Sequence, residues 1–203
     1  MANRKPVVLN GNGLQVLQSG DVIPVASLEA PAMTYTRTDC LFNPRVPPMT
    51  TGSTLTSGRG YFTYLGQIIA PFVANYVRFA VQTAGAGTQT AEVAVYSSAS
   101  APVPGVSASL TRLAVSTTLE SLTTVGAKKN VSAMGYTIAA GTHVWVGLRT
   151  VMGTTQVNVG RAQDPVLGEV QSGASAALDT VSPQTSIGIQ GLNTVCPYLT
   201  LWT

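Results

Sequence analysis

Apolar and polar residues alternate with a period of two along most of the chain after residue 60. In YVRFAVQ (Tyr76–Gln82), Val77, Phe79 and Val81 alternate with Tyr76, Arg78, Ala80 and Gln82. One set faces a core and the other faces solvent, the signature of a half-buried strand. The GAG that follows ends it in a turn. AEVAVYS (Ala91–Ser97) repeats the pattern with Val93 and Val95. Leu110–Thr117 reads as another strand and Val131–Ile138 as a weaker one. HVWVGLR (His143–Arg149) puts Val144, Val146 and Leu148 on one face and Trp145 on the other. TQVNVG (Thr155–Gly160), TSIGIQG (Thr185–Gly191) and PYLTLW (Pro197–Trp202) complete the set. SASAPVPGVSAS reads as a loop and GAKKN as a polar turn. Helical spacing is nearly absent. Leu28–Met33 contains Pro31, and the Ala-rich window Ser172–Leu178 is short and weakened by Gly173.

Short strands separated by turn signals at roughly 8–12 residues predict a sandwich or barrel. The first 60 residues differ. NPRVPP and the following TTGSTLTSGRG read as an extended arm and linker, with Tyr61, Phe62 and Tyr64 clustered at the joint. The expected fold is all-β: an N-terminal extended arm over residues 1–60, then one antiparallel, jelly-roll-like β-sandwich over residues 61–203.

Composition sharpens this picture. The 203 residues are 45% hydrophobic, enough for a buried core. Only 9% are charged, against an average of about 25%. Solubility must come from Thr, Ser, Asn, Gln and Gly, which suits a surface packed against neighbours. The net charge is +3, and the basic residues are scattered, with Arg4-Lys5 and Lys128-Lys129 as the adjacent pairs. That spread argues against a nucleic-acid partner, which needs a concentrated basic face. The start of the chain lacks the apolar core of a secretory signal, and no run approaches the ~18 apolar residues of a membrane span. A chain made in the cytosol, without membrane insertion, is expected. Asn130-Val131-Ser132 fits the glycosylation sequon, a chance match without a secretory route. Cys40 and Cys196 are either two buried small hydrophobes or one bridge from the arm to the last strand.

Chemistry-bearing groups do not converge. His143, the sole histidine, opens a strand with no nucleophile or carboxylate beside it in sequence. There is no Gly-x-Ser-x-Gly elbow and no metal-ligand spacing. Asp164 and Glu169 bracket the loop DPVLGE, a weak signal for a carboxylate pair or a calcium site. GNG and GAG lack the Lys or following helix of a phosphate loop. No cofactor and no enzymatic activity are expected. The strand-borne aromatics Tyr96, Trp145 and Trp202 are candidates for facing a ligand, since flat ring faces cover the C–H groups of sugars; core packing is the competing use.

The segment YVRFAVQTAGAGTQTAEVAVYSSASAPVPG resembles the opening strands of a β-sandwich found in bacteriophage fibre and virion-surface proteins. YTIAAGTHVWVGLR, with Ala139-Ala140-Gly141 and Trp145, looks like the companion strand of that family. RKPVVLNGNGLQVLQSGDVI is similar to N-terminal segments of tailed-phage structural proteins, where a LxxLxxGD run follows a short turn; here it is Leu14, Leu17, Gly20 and Asp21. No collagen-like, coiled-coil or β-helical shaft is present, unlike long tail fibres. The resemblance implies a structural component of the virion. It would be a capsid decoration or head-fibre protein, and the alternative is a short tail-fibre protein binding a host-surface carbohydrate. It also implies a homotrimer whose partners are the major capsid protein or tail and adaptor proteins. Val7, Val8, Leu9, Leu14, Leu17, Asp21, Val22 and Ile23 are then the expected virion-attachment residues. Their apolar members need another surface, because a lone hairpin is not stable in water.

Overall fold

In a computed structural model the chain forms two compact units, Met1–Pro31 and Ala32–Thr203. The structure describes residues 7–10, 13–16, 35–36, 40–42, 48–102, 108–162, 172–175, 187–191 and 197–203. Among them there is no helix, and every strand pairing is antiparallel, so the fold is all-β as expected. The first unit holds a hairpin of β1 (Val7–Asn10) and β2 (Gly13–Val16).

The second unit is built in two layers. The first is a barrel of β6 (Gly60–Gln67), β9 (Gln89–Ser98), β10 (Ala108–Ser116), β13 (His143–Met152), β15 (Ser172–Ser175) and β16 (Ile187–Gly191), closed in the order β10-β16-β15-β6-β13-β9. The second layer is an open sheet. It runs through β3 (Tyr35–Thr36), β4 (Cys40–Phe42), β17 (Thr200–Trp202), β8 (Tyr76–Thr83), β14 (Asn158–Ala162) and β5 (Pro48–Thr54), and β11 (Gly126–Lys129) also pairs with β8. A small ladder joins β7 (Phe72–Ala74) to β12 (Tyr136–Ile138).

Alternation divides the side chains of the barrel strands between two cores. Tyr61 and Leu65 of β6, Val93 and Val95 of β9, and Val144, Val146 and Leu148 of β13 pack against Val77, Phe79 and Val81 of β8, with Leu201 and Leu41. That is the core between the layers. The intervening residues, Phe62 and Tyr64, Ala94 and Tyr96, and Trp145, join Leu110 in a second core on the opposite face, inside the barrel. A bulge in the β6–β13 pairing sits where Gly66 adopts φ +117°, a conformation that excludes most side chains.

Several sequence expectations change. GAKKN is not a turn: its first four residues are β11, paired from Gly126 opposite Val81 to Lys129 opposite Arg78. Residues 48–54, expected in the linker, form β5 against β14. Tyr61, Phe62 and Tyr64 are not at a joint but in β6, between β13 and β15. Ser172–Ser175 is a strand. Only the end of Val131–Ile138 is extended, as β12. Cys40 is buried on β4, and Cys196 lies outside the described residues.

One polar and one small residue fix the packing around them. Asn130 is fully buried: its Nδ2 donates to the carbonyls of Asn75 (2.9 Å) and Ser132 (2.6 Å), and its Oδ1 accepts from the Val77 amide (2.8 Å). Gly147 lies between rings: a Cβ there would stand 3.1 Å from Phe62 Cε1 and 3.2 Å from Tyr96 Cε2. Both rings are locked, edge to face at 5.3 Å between centroids. Gly147→Ala is therefore expected to cost about 1–3 kcal/mol by overpacking. A urea midpoint equal to that of the parent protein would show that the rings can yield. Asn130→Ala strands the buried Val77 amide and is expected to cost about 1–3 kcal/mol, read in the same titration.

Candidate functional site

Of the expected attachment residues, Val7, Val8 and Leu9 lie on β1 and Leu14 on β2, while Leu17, Asp21, Val22 and Ile23 lie outside the described residues. The register sets Val7 opposite Val16 and Leu9 opposite Leu14, so two rungs of the hairpin join apolar residues. The other rungs pair Val8 with Gln15 and Asn10 with Gly13.

Tyr96 and Trp145 are not ligand-facing. Trp145 is 0% and Tyr96 1% exposed, both inside the barrel. The reason is that β9 and β13 are covered on both faces, so the side of the strand that alternation assigns to solvent meets a second core. Trp145 stacks obliquely on Tyr64 at 5.0 Å, and its Nε1 donates to Ser98 Oγ at 2.9 Å, which satisfies the one polar atom of the indole. Burial pushes the Tyr96 phenol up; Arg112, its register partner on β10, opposes that shift, and Glu92 adds to it.

The barrel also takes in charge. Glu92 of β9, 2% exposed, stands opposite Arg149 of β13, with Oε1 3.5 Å from Nη1. Arg149 Nε donates to the Gly58 carbonyl at 2.8 Å, so the guanidinium is held from two sides. A buried carboxylate needs such a partner, and removing one member of the pair would leave an uncompensated charge. His143, at the first position of β13, shares a 2.7 Å hydrogen bond between its Nδ1 and the Tyr64 hydroxyl. Burial lowers the His143 pKa from its ordinary 6.5 and raises the Tyr64 phenol from 10.0 to about 12. Both groups are neutral near pH 7, so the pair is a satisfied structural contact rather than an activated one. Among the described residues, no three of His, Cys, Asp and Glu gather where a metal could be held. Asp164 and Glu169 lie outside the described residues.

Trp202 is placed differently. It is half-buried on the outer face of the open sheet, where β17, β8 and β11 run side by side. Its Nε1 donates to Thr200 Oγ1 (2.9 Å), and that hydroxyl donates to the Arg78 carbonyl (3.2 Å). The indole is thereby fixed, and the Arg78 guanidinium lies over it, 4.2 Å from the ring centroid. Lys129 Nζ lies 4.4 Å from the centroid of Tyr76. Register aligns these groups: Trp202 stands beside Tyr76, and Thr200, Arg78 and Lys129 form the next row. The row beyond is Ala80 beside Ala127, both exposed. Of this cluster, Trp202 alone was among the expected site residues. Alternation in Tyr76–Gln82 already put Arg78 and Tyr76 on the outer face, but nothing local in the sequence brings β11 and β17 alongside them.

No family model matches the chain, and no curated protein or solved structure does either.

The shifted groups give stability a pH dependence. The folded Tyr64 phenol holds its proton to a higher pH than the unfolded chain does. Its contribution is complete below pH 10 and lost as pH rises from 10 towards about 12. His143 works in the opposite sense: its contribution is complete above 6.5 and falls as pH drops below that value. Urea midpoints measured from pH 8 to 12 should decline above pH 10 as the Tyr64 phenol ionises. Tyr64→Phe should flatten part of that decline; an unchanged slope would show that other groups carry it.

Proposed function

We propose that the protein is a non-enzymatic structural component of a tailed-phage virion. It is displayed on the particle surface as a capsid decoration or head-fibre protein and is anchored by its N-terminal unit. One observation carries this reading: the N-terminal hairpin with its apolar Val7–Val16 and Leu9–Leu14 rungs forms a unit of its own, separate from a sandwich with its own core. A two-stranded hairpin is marginal in water and gains stability from an added surface. Extended segments gain such a surface by joining the edge of another sheet. The capsid or tail platform would supply that edge. The low proportion of charged residues and the resemblance of residues 76–161 to virion-surface sandwiches support the same reading. A homotrimer follows from that resemblance, and closed symmetry would bury part of the uncharged surface.

Deleting residues 1–24 is expected to leave a folded, cooperative sandwich that no longer joins the particle. Full occupancy by the truncated protein would overturn the anchor. Immunogold labelling of intact particles with an antibody to residues 61–203 reads the location. Label over the head supports a decoration or head-fibre protein, and label confined to the tail overturns that assignment.

A further inference from the structure

We propose that the outer face of β8, β11 and β17 is a binding site for an acidic saccharide, its carboxylate held between Arg78 and Lys129 and its ring lying on Ala80 and Ala127. Arg78 and Lys129 are directly opposite in register. Side chains so placed on an antiparallel pair project to the same face with Cβ atoms about 4.5–5.5 Å apart, and like charges there are destabilising. Neither cation meets a carboxylate among the described residues; the Glu92–Arg149 pair lies inside the barrel, not on this face. An anion between them turns that repulsion into two attractive contacts.

The site is built before any ligand arrives. The hydrogen-bond chain from Trp202 through Thr200 to the Arg78 carbonyl fixes the indole, and stacking on it fixes the guanidinium plane. A stacked guanidinium keeps its N–H edge available, and that edge matches a carboxylate with two parallel hydrogen bonds. Tyr76 places the Lys129 ammonium in the same way. Pre-ordering two long side chains removes part of the entropy that binding would otherwise cost.

The body of the ligand is indicated by the neighbouring row. Ala80 and Ala127 carry nothing larger than a methyl group, so the sheet is low next to the cations and rises at Trp202 and Tyr76. A flat ring with C–H groups on its face and a carboxylate on its rim, as in a uronic or sialic acid, fits that step. The site is built from residues of the second unit alone, so it holds whether or not the particle reading does.

The test is NMR titration of the full-length, nitrogen-labelled protein, following the indole N–H of Trp202. The probes are a galacturonic-acid hexasaccharide, an oligosaccharide of sialic acid, the methyl ester of the first, inorganic sulfate, and oligothymidylate. A saturable shift with either acidic saccharide, and none with the ester, is expected. Arg78→Gln and Lys129→Gln should each weaken binding about tenfold. Ala127→Phe fills the low row at an exposed position and removes neither cation, and should abolish binding with the melting temperature unchanged. The proposal is overturned if neither acidic saccharide gives a saturable shift, or if the ester or sulfate binds as tightly. It is equally overturned if Ala127→Phe binds normally, or if oligothymidylate binds more tightly, which would make the face a nucleic-acid surface.

Discussion

Three neighbouring strands, β6, β13 and β9, are apolar on both faces, and the rest of the molecule arranges itself around that fact. A sheet with one wet face can stay open. A sheet with two apolar faces must be covered twice. One face is covered by the open layer carrying β8 and β17. The other is covered by the sheet itself, which curls until β10 and β16 pair and the barrel closes. Closure leaves little space, and Gly147 sits where the Phe62 and Tyr96 rings approach most closely. It also encloses polar groups, and three of them have a local answer: Ser98 for the Trp145 indole, His143 for the Tyr64 hydroxyl, Arg149 for Glu92.

The same two-sided burial decides what could be read from the sequence. Strands with one wet face announce themselves by alternation, and β8 is legible for that reason: Val77, Phe79 and Val81 are buried while Arg78 and Ala80 reach outward. In β6 the run Tyr61, Phe62, Thr63, Tyr64, Leu65 is buried throughout, so no alternation remains to mark it as a strand. Trp145 sits on the face that alternation reads as solvent and is fully enclosed, because a long-range closure overrides the local pattern. The strand β11 was hidden for the opposite reason. Its two lysines and its glycine have the composition of a turn, and only pairing with β8 makes it extended. Of the candidate site, the outward placement of Arg78 and Tyr76 was legible, Trp202 was a candidate without an assigned face, and their assembly into one face was not legible, since it joins residues 76–80, 127–129 and 200–202.

The two layers divide the work by wetness. The barrel encloses the rings of Phe62, Tyr64, Tyr96 and Trp145, and its polar pairs are spent on internal contacts. The open sheet keeps one face towards solvent, and there the aromatic rings hold cations instead of packing against other rings. A charge-poor chain thus places two of its basic residues side by side, on a sheet face where they can meet something outside the fold.

Asn130 has a consequence of another kind. Its amide nitrogen gives both of its hydrogens to carbonyls of the crossing loops, and the side chain has no exposed surface. That same nitrogen is the acceptor of a glycan in any compartment that reads Asn-x-Ser on a nascent chain. A sugar attached there and the folded structure exclude one another. On a secretory route the residue that ties these loops together would therefore face two incompatible uses, as a glycan acceptor and as a buried donor.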